Sequence, residues 1–493
     1  MDKNILQKGF ENYNYLDNQK WKEEIPSYKV LKSDNIFEEI KVSVVIANYN
    51  NEPYLEKMMN ALVNQTIGIE TLQIIFVDDC STDNSKEVIE EYLAKYPNIE
   101  FYQFDRNTGG AHTPRNLGIL KARGKYLVIL DADDWYELDA LKSMSDLLDE
   151  SQDTMVVGGI VQVNDYHVSS KSIAYYAEGK QINRDIQDLP YEFYEFLGPQ
   201  GIMVLTSLVL ENRLHFVNQR VADDVLFFYQ CLRISNKISQ LPQKTTYLNR
   251  ISENDSLSKT INKDFMISWL RALAFVNQNF PNDISKERFL ARRLDWLVLD
   301  FALRRNVGYK FGIERLKDFK NSLDKYLGDL TFNPQKYFKE EARKIAWSDL
   351  RQRHFLHLYL FVNRHSHRES LKIKKKINNL YYFVFPGNIL PKIPINVRAS
   401  AYKMYIENNF SVFEIEVLTN EEINNFEFHA VNDPFKSIKA QEVIKKDNKF
   451  IVKFSRKELE NLSENYGLHV ISNIYHDHIV EISKVTNEKT NVI

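Results

Sequence analysis

Short apolar runs alternate with helix-period stretches through the first third of the chain. KVSVVIA (41–47), LQIIFV (72–77), IEFYQF (99–104) and KYLVIL (125–130) are almost unbroken hydrophobic segments. Their length and β-branched content predict strands buried on both faces. Between them lie amphipathic stretches. YLEKMMNALVNQ follows NYNNEP, with Asn50 or Asn51 as N-cap and Pro53 near the first helical position. NSKEVIEEYLAKY is capped by Ser81 or Asp83, and a third helix is entered through NTGGAHTPRN with Pro114 near its start. This alternation predicts an α/β domain with a mostly parallel sheet and helices on both faces. Ligands of such sheets bind beyond the carboxyl ends of the strands, where the acidic and glycine-rich segments of this chain fall.

The pattern changes along the chain. Residues 1–40 have no clear period and read as an extension that packs on the first domain or is partly mobile. Residues 151–262 mix strand-like TMVVGGIVQV, a Gly-Pro-Gln-Gly turn (198–201) and a helical DVLFFYQCLRIS. Residues 263–378 read mainly as helices. From 379 onwards, short strands at even spacing predict a sandwich-like β-rich domain. The expected division is therefore 1–40, 41–262, 263–378 and 379–493.

Composition narrows the classes. A chain of 493 residues allows three domains at about 150 residues each. With 44% hydrophobic and 27% charged residues it is not a disordered chain. A net charge of −3 argues against a nucleic-acid partner. Cys80 and Cys231 cannot form a disulfide framework and fit a reducing compartment. The N-terminus lacks the apolar run of a signal peptide, and no stretch approaches the ~18 apolar residues of a transmembrane segment. The expectation is a soluble, cytoplasmic protein, compatible with a peripheral contact at the inner face of the membrane.

Asp131-Ala132-Asp133 closes the fourth run. Two carboxylates spaced by one residue on an extended segment face the same way and suit Mg²⁺ or Mn²⁺. The same triplet also reads as an acidic strand-to-helix loop, with Asp134 capping the next helix. Of Asp78-Asp79, one carboxylate can cap a helix and the other accept hydrogen bonds in the crevice, for example from a base N–H. The Asn107–Asn116 loop joins backbone donors at a helix start to Arg115, which together make an anion site; a plain glycine turn is the simpler reading. Asp223-Asp224, ahead of VLFFYQCL, is either a helix cap or a general base at the rim. Arg250 and Ser256 could hold a diphosphate from the opposite side. His354 and His357 have no nearby carboxylate or cysteine to complete a metal site. The basic run around them is a solvated face or a patch for a phosphate-rich polymer.

Taken together, VSVVIANYNNEPYLEKMMNALVNQT, IIFVDDCSTDNS and NTGGAHTPRNLGILKARGKYLVILDADD resemble inverting family-2 glycosyltransferases of GT-A fold. Within that family, GGxxxPRN with a later acidic pair is most similar to bacterial wall teichoic acid β-N-acetylglucosaminyltransferases. The resemblance implies that the Ala47–Asn50 segment, including Tyr49, and Asp79 hold the uracil of a UDP-sugar. Asn107, Arg115 and Asp223 belong to the same substrate site. Asp131 contacts the ribose or the metal shell, Asp133 ligates Mn²⁺ or Mg²⁺, and Asp224 is the catalytic base. Arg250 and Ser256 lie on a segment closing over the diphosphate. A polymeric, polyanionic acceptor such as poly(ribitol phosphate) and a homotrimer assembled through the β-rich region are also implied. Related enzymes acting on capsule, glycolipid or glycoprotein share many of these features, and an inactive GT-A scaffold is the non-enzyme alternative. Ala47-Asn48 replaces the Pro-Thr usual in the first loop. Asp223 stands where Glu is common, and Asn254 where relatives carry His.

Overall fold

The computed structural model describes residues 21–32, 39–165, 168–195 apart from 171–178, 197–252 apart from 220 and 236, 263–297, 312–365, 373–395 apart from 379 and 385–391, 397–462 apart from 432 and 434, 466–473 and 476–482. The chain forms two compact units, Met1–Asp165 with Ser170–Phe338, and Tyr166–Ser169 with Lys339–Ile493.

Strands are numbered in chain order: β1 Tyr28–Lys32, β2 Val42–Asn48, β3 Leu72–Asp78, β4 Ile99–Phe104, β5 Tyr126–Asp131, β6 Trp135–Tyr136, β7 Met155–Val163, β8 Val168–Ser170, β9 Gln181–Asp185, β10 Ile202–Leu205 and β11 Lys237–Asn249. The sheet of the first unit runs β1-β4-β3-β2-β5-β10-β7-β11-β6, with β9 beside β11. It is parallel from β4 to β5, where helices join successive strands. Beyond β5 it is mixed: β10 is antiparallel to both β5 and β7, while β7 and β11 are parallel. The change falls where the strand–helix alternation in the sequence stops. The 1–40 extension supplies β1, an antiparallel edge strand on β4.

Every residue of β3 is buried, as its unbroken apolar run requires. The helix Glu52–Val63 covers one face of the sheet with Leu55, Met58, Met59 and Leu62, the i, i+3, i+4, i+7 stripe of an amphipathic helix. Its N-cap is Asn51, while Asn50 takes a left-handed φ of 54°. The next helix, Ser85–Leu93, has Asn84 as N-cap, which corrects the Ser81-or-Asp83 expectation. The Asp83 carboxylate instead ties the two helix starts together, accepting from Ser85 N at 3.1 Å and from Glu52 N at 3.0 Å.

Gly124 is needed for space. A Cβ there would lie 2.5 Å from Ser43 N and 2.8 Å from the Val42 carbonyl carbon, both backbone atoms of the central strand. Gly124→Ala is expected to lower the urea unfolding free energy by about 1–3 kcal/mol. An unchanged midpoint would show that β2 can shift.

Helices Lys263–Asn279, Ile284–Leu297 and Ile313–Tyr326 complete the first unit. The second unit opens with helices Glu341–Arg351 and Phe355–His365 and a three-stranded sheet, β12 Ile373–Ile377, β13 Leu380–Val384 and β14 Ile393–Pro394. Eight strands follow: β15 Val397–Glu407, β16 Phe410–Thr419, β17 Asn425–Ala430, β18 Ser437–Lys439, β19 Glu442–Lys446, β20 Lys449–Ser455, β21 Tyr466–Asn473 and β22 His476–Ile482. Their order is β18-β17-β21-β22-β15-β16-β20-β19. The sheet folds over so that its two ends pack face to face: the Phe426 ring of β17 lies 5.2 Å from that of Phe450 of β20, and the Phe428 ring 4.8 Å from that of Phe454. This is the β-rich, sandwich-like domain. Among the described residues, no helix is long and apolar enough to cross a membrane.

Candidate active site

β2, β3 and β5 end side by side. In the parallel register Ala47 lies across from Val77 on one side and from Asp131 on the other. Neighbouring strands are about 4.8 Å apart. The turn after β2, the Asp78-Asp79 pair and the loop after β5 therefore open into one crevice.

Asp78 and Asp79 have different jobs. Asn48 Nδ2 donates to Asp78 Oδ1 at 2.8 Å and to Ser81 Oγ at 3.1 Å, and Asn50 N donates to the same Ser81 oxygen at 2.9 Å. Asp78 thus locks two loops together. Asp79 is anchored by its backbone, its N donating to Asn48 O at 2.8 Å. Its carboxylate accepts from Thr108 N and from Thr108 Oγ1, each at 2.9 Å, while Asn107 Nδ2 donates to Asp79 O at 3.1 Å. Burial pushes this carboxyl up to about 6, against the opposing pull of the Thr108 donors. Ala47 is half-buried and Tyr49 exposed at the tip of the turn.

Arg115 is the hub of the acidic side. The helix His112–Lys121 places it, and Asn116 fixes that helix by a reciprocal pair of 2.8 Å bonds with the Phe216 backbone. The guanidinium is buried. It donates from Nη2 to Asp131 Oδ1 at 2.5 Å and from Nη1 to Asp223 Oδ2 at 3.2 Å, above the ring of Phe216. Burial opposes its charge, but Asp131 and Asp223 outweigh burial and hold it more firmly protonated than usual.

Asp131, Asp133 and Asp134 each offer an oxygen within 4.8 Å of the others. Asp134 does not cap a helix, which corrects that expectation: the next helix begins at Ala140 with Asp139 as N-cap. Asp134 is instead buried, accepting from Asn249 N at 2.8 Å and from Gln200 Nε2 at 2.7 Å, and burial holds its carboxyl well above the usual range. Gln200 Nε2 also donates to Asp131 Oδ2 at 3.0 Å. A set of hard oxygen donors fits Mg²⁺ or Mn²⁺. Asp134 is enclosed, whereas Asp131 and Asp133 are half-buried.

Asp224 is the second residue of the helix Asp223–Ser235, which begins just after Ala222 in a left-handed conformation. It is half-buried and its Oδ1 accepts from Val225 N at 2.7 Å. Burial, then the neighbouring Asp223, push its carboxyl up to about 7 despite Arg115. A carboxylate poised there can exchange a proton near neutral pH.

The structure therefore brings Arg115, Asp131, Asp133 and Asp223 together with Asp224 adjoining, and Asp79 with Asn107 at the neighbouring strand end. Arg250 lies just past β11, with its Nη1 donating to Asn249 O. Ser256 is outside the described residues. Gln200 and Thr108 were not singled out from the sequence. Gln200 sits in a turn recognisable only by its glycine and proline, and nothing in that signature reports an amide clamping two carboxylates. His354 and His357 do have a carboxylate beside them, contrary to expectation. Asp349 Oδ2 is 2.5 Å from His357 Nδ1, and Asp349 Oδ1 is 3.6 Å from His354 Nδ1. The 131–134 group is the one three-ligand cluster among the described residues.

Residues 43–193 match the family model described as glycosyl transferase family 2. Poly(ribitol-phosphate) beta-N-acetylglucosaminyltransferase TarS of Staphylococcus aureus strain Mu50 is 26% identical over 294 residues, 58% of this chain and 49% of the relative. Poly(ribitol-phosphate) beta-glucosyltransferase of Bacillus spizizenii is 32% identical over 274 residues, 55% of this chain and 42% of the relative. The chain thus spans about half the length of these curated relatives. The crystal structure of S. aureus TarS aligns with a TM-score of 0.58 and 17% identity, covering 92% of this chain and 79% of that one. Its 1–349 portion in complex with UDP-GlcNAc aligns with a TM-score of 0.58 and 21% identity, covering 72% and 99%. The overall fold is therefore the one TarS has.

Proposed function

We propose, for a chain whose residues 43–193 match the glycosyl transferase family 2 model, an inverting transfer of a sugar, N-acetylglucosamine in the first instance, from a UDP-sugar to a hydroxyl of poly(ribitol phosphate) wall teichoic acid. What supports this reading is that Asp79 and the Asp131–Asp134 cluster lie at neighbouring strand ends and that Arg115 ties Asp131 to Asp223, the residue before Asp224, on a fold shared with a protein solved with UDP-GlcNAc. The acceptor class is drawn from the names of the two relatives.

In this reading the Ala47–Asn50 turn and Asp79 hold uracil, and Tyr49 and Asn107 line that end of the site. Asp131 and Asp133 hold Mn²⁺ or Mg²⁺, which when bound neutralises charge gathering on the leaving diphosphate. Arg115 fixes Asp131 and Asp223 beneath the donor and adds positive charge there. Arg250 and Ser256 close over the diphosphate. The acceptor oxygen forms its bond to the anomeric carbon as the bond to UDP breaks, and its proton passes to Asp224. A single displacement inverts an α-linked donor into a β-glycoside. Residues 41–262 make up the catalytic domain and 263–378 a helical middle region. Residues 379–493 drive trimer assembly or bind polymer, and the enzyme works in the cytoplasm at the inner face of the membrane.

Incubation with UDP-GlcNAc or UDP-glucose, Mn²⁺ and poly(ribitol phosphate) tests the reading, with released UDP and polymer-linked sugar measured. No transfer from either donor, with or without metal, overturns it. A general base with a pKa of about 7 sets the pH profile. Below it the carboxyl is protonated and cannot accept the hydroxyl proton, so kcat/KM should fall about tenfold per pH unit and level off above neutrality. A flat profile from pH 5 to pH 8 would exclude Asp224 as the group that titrates.

A further inference from the structure

A buried segment without regular structure leads towards the proposed base. Leu214, His215, Phe216 and Val217 belong to no helix or strand, yet none is more than 3% exposed. No ladder fixes such a segment, so its place is set by the groups packed around it. Phe216 exchanges both backbone groups with Asn116, and its ring centre lies 5.1 Å from the Arg115 guanidinium carbon. The same ring stacks on Phe227 at 4.2 Å, one turn along the helix that opens with Asp223 and Asp224. The segment therefore touches both the arginine and the helix of the acidic pair.

A second hold on it comes from the N-terminal extension. The Trp21 ring lies nearly parallel to that of His215, with centres 5.0 Å apart and an angle of 10°. Burial pushes the His215 imidazole down to about 4, against its bond to the Arg213 carbonyl, so Trp21 stacks on a neutral ring at neutral pH. Three residues on, Glu24 Oε2 accepts from Asn218 Nδ2 at 3.1 Å. Glu24 also acts on His112, the first residue of the helix that carries Arg115. Its charge draws that imidazole up against the burial that pushes it down to about 4. The pairing of β1 with β4 begins only at Tyr28 and uses neither Trp21 nor Glu24. Docking of this turn is thus a contact separate from the edge strand.

We propose that Trp21 and Glu24 are positioning residues for the transfer reaction. They brace Leu214–Asn218, and through it the Arg115 guanidinium and the start of the Asp223–Ser235 helix, so that Asp224 is held at the acceptor hydroxyl. Rate is steep in such placement: a shift of about 1 Å in a reacting group costs on the order of 10²-fold. The end of the crevice assigned to uracil is held by other bonds, among Asn48, Asp78, Asp79 and Thr108. Donor binding therefore does not depend on the brace. This inference rests on the reading of Asp224 as the general base.

Transfer kinetics and amide hydrogen exchange on the full chain test it. Trp21→Ala should lower kcat about tenfold. Its affinity for UDP with Mn²⁺ should stay within about twofold of the wild type. Trp21→Phe keeps a stacking ring and should hold kcat within about twofold. In Trp21→Ala the amides of residues 214–218 should exchange about tenfold faster or more, while β2, β3 and β5 keep their protection. The Asp224→Asn background separates positioning from a general loss of structure. There Trp21→Ala should slow the residual transfer by less than about twofold, because no base remains to be misplaced. Equal slowing in both backgrounds overturns the proposal, as does wild-type kcat or unchanged exchange in Trp21→Ala. Near-normal transfer by Asp224→Asn, with faster exchange in Trp21→Ala, sinks the reading of Asp224 and leaves the brace standing.

Discussion

Asp224→Asn is expected to bind UDP as the wild type does and to transfer sugar about 10²–10⁴-fold more slowly. Asn keeps the shape of the side chain and its contact with Val225 N, but cannot take a proton from the acceptor hydroxyl. Calorimetry with UDP and a transfer assay at saturating donor would separate the two effects. A second, independent consequence has the opposite sign. The Asp224 carboxyl has its pKa in the folded chain raised to about 7, so the fold favours its protonated form. Stability from that term is present at low pH and lost as pH rises through 7. A neutral Asn removes the term, so the inactive variant should melt higher than wild type at pH 8. Near-normal transfer by Asp224→Asn would assign the base elsewhere, and the proximity of Asp223 makes Asp223→Asn the next variant to measure.

Arg115→Met is expected to lower stability by about 3–5 kcal/mol and to abolish transfer. The guanidinium joins Asp131, 16 residues away, to Asp223, 108 residues away, and the arginine and Asp223 side chains are each only 8% exposed. Removing one partner of a buried pair leaves the other charge uncompensated, which costs about that much. Two carboxylates are stranded here rather than one. Urea unfolding at pH 7 measures the loss. Repeating it at pH 5 should recover part, because protonation relieves stranded carboxylates. The Arg115→Met/Asp223→Asn double variant should be more stable than the single variant, by coupling of the kind that adjacent charges show. A loss of less than about 1 kcal/mol would mean that solvent reaches this pair and that Arg115 is not the hub.

The parallel half of the first unit's sheet was legible because each of its strands is an unbroken apolar run followed by a helix-period stretch. VSVVIA and LQIIFV can be little else. The antiparallel insertion of β10 between β5 and β7 was not legible, since Ile202–Leu205 is four residues long and has no period to read. Asp131 and Asp133 could be placed at a strand end from spacing alone, whereas the role of Asp134 could not. Its partners, Gln200 and Asn249, come from 66 and 115 residues away. Long-range polar pairing leaves no local mark on a sequence, and most of the chemistry of this site is made of it.

The strand Tyr28–Lys32 has a consequence beyond its own pairing. β4 would otherwise be the last strand on that side, with a row of open amide and carbonyl groups, and such borders invite other polypeptides to add themselves. By lying along β4 from Tyr28 opposite Phe104 to Lys32 opposite Glu100, the extension moves that border outward to a five-residue strand with a lysine at each side of its centre, Lys29 and Lys32. It acts as a guard against fibre-like association, a service unrelated to sugars.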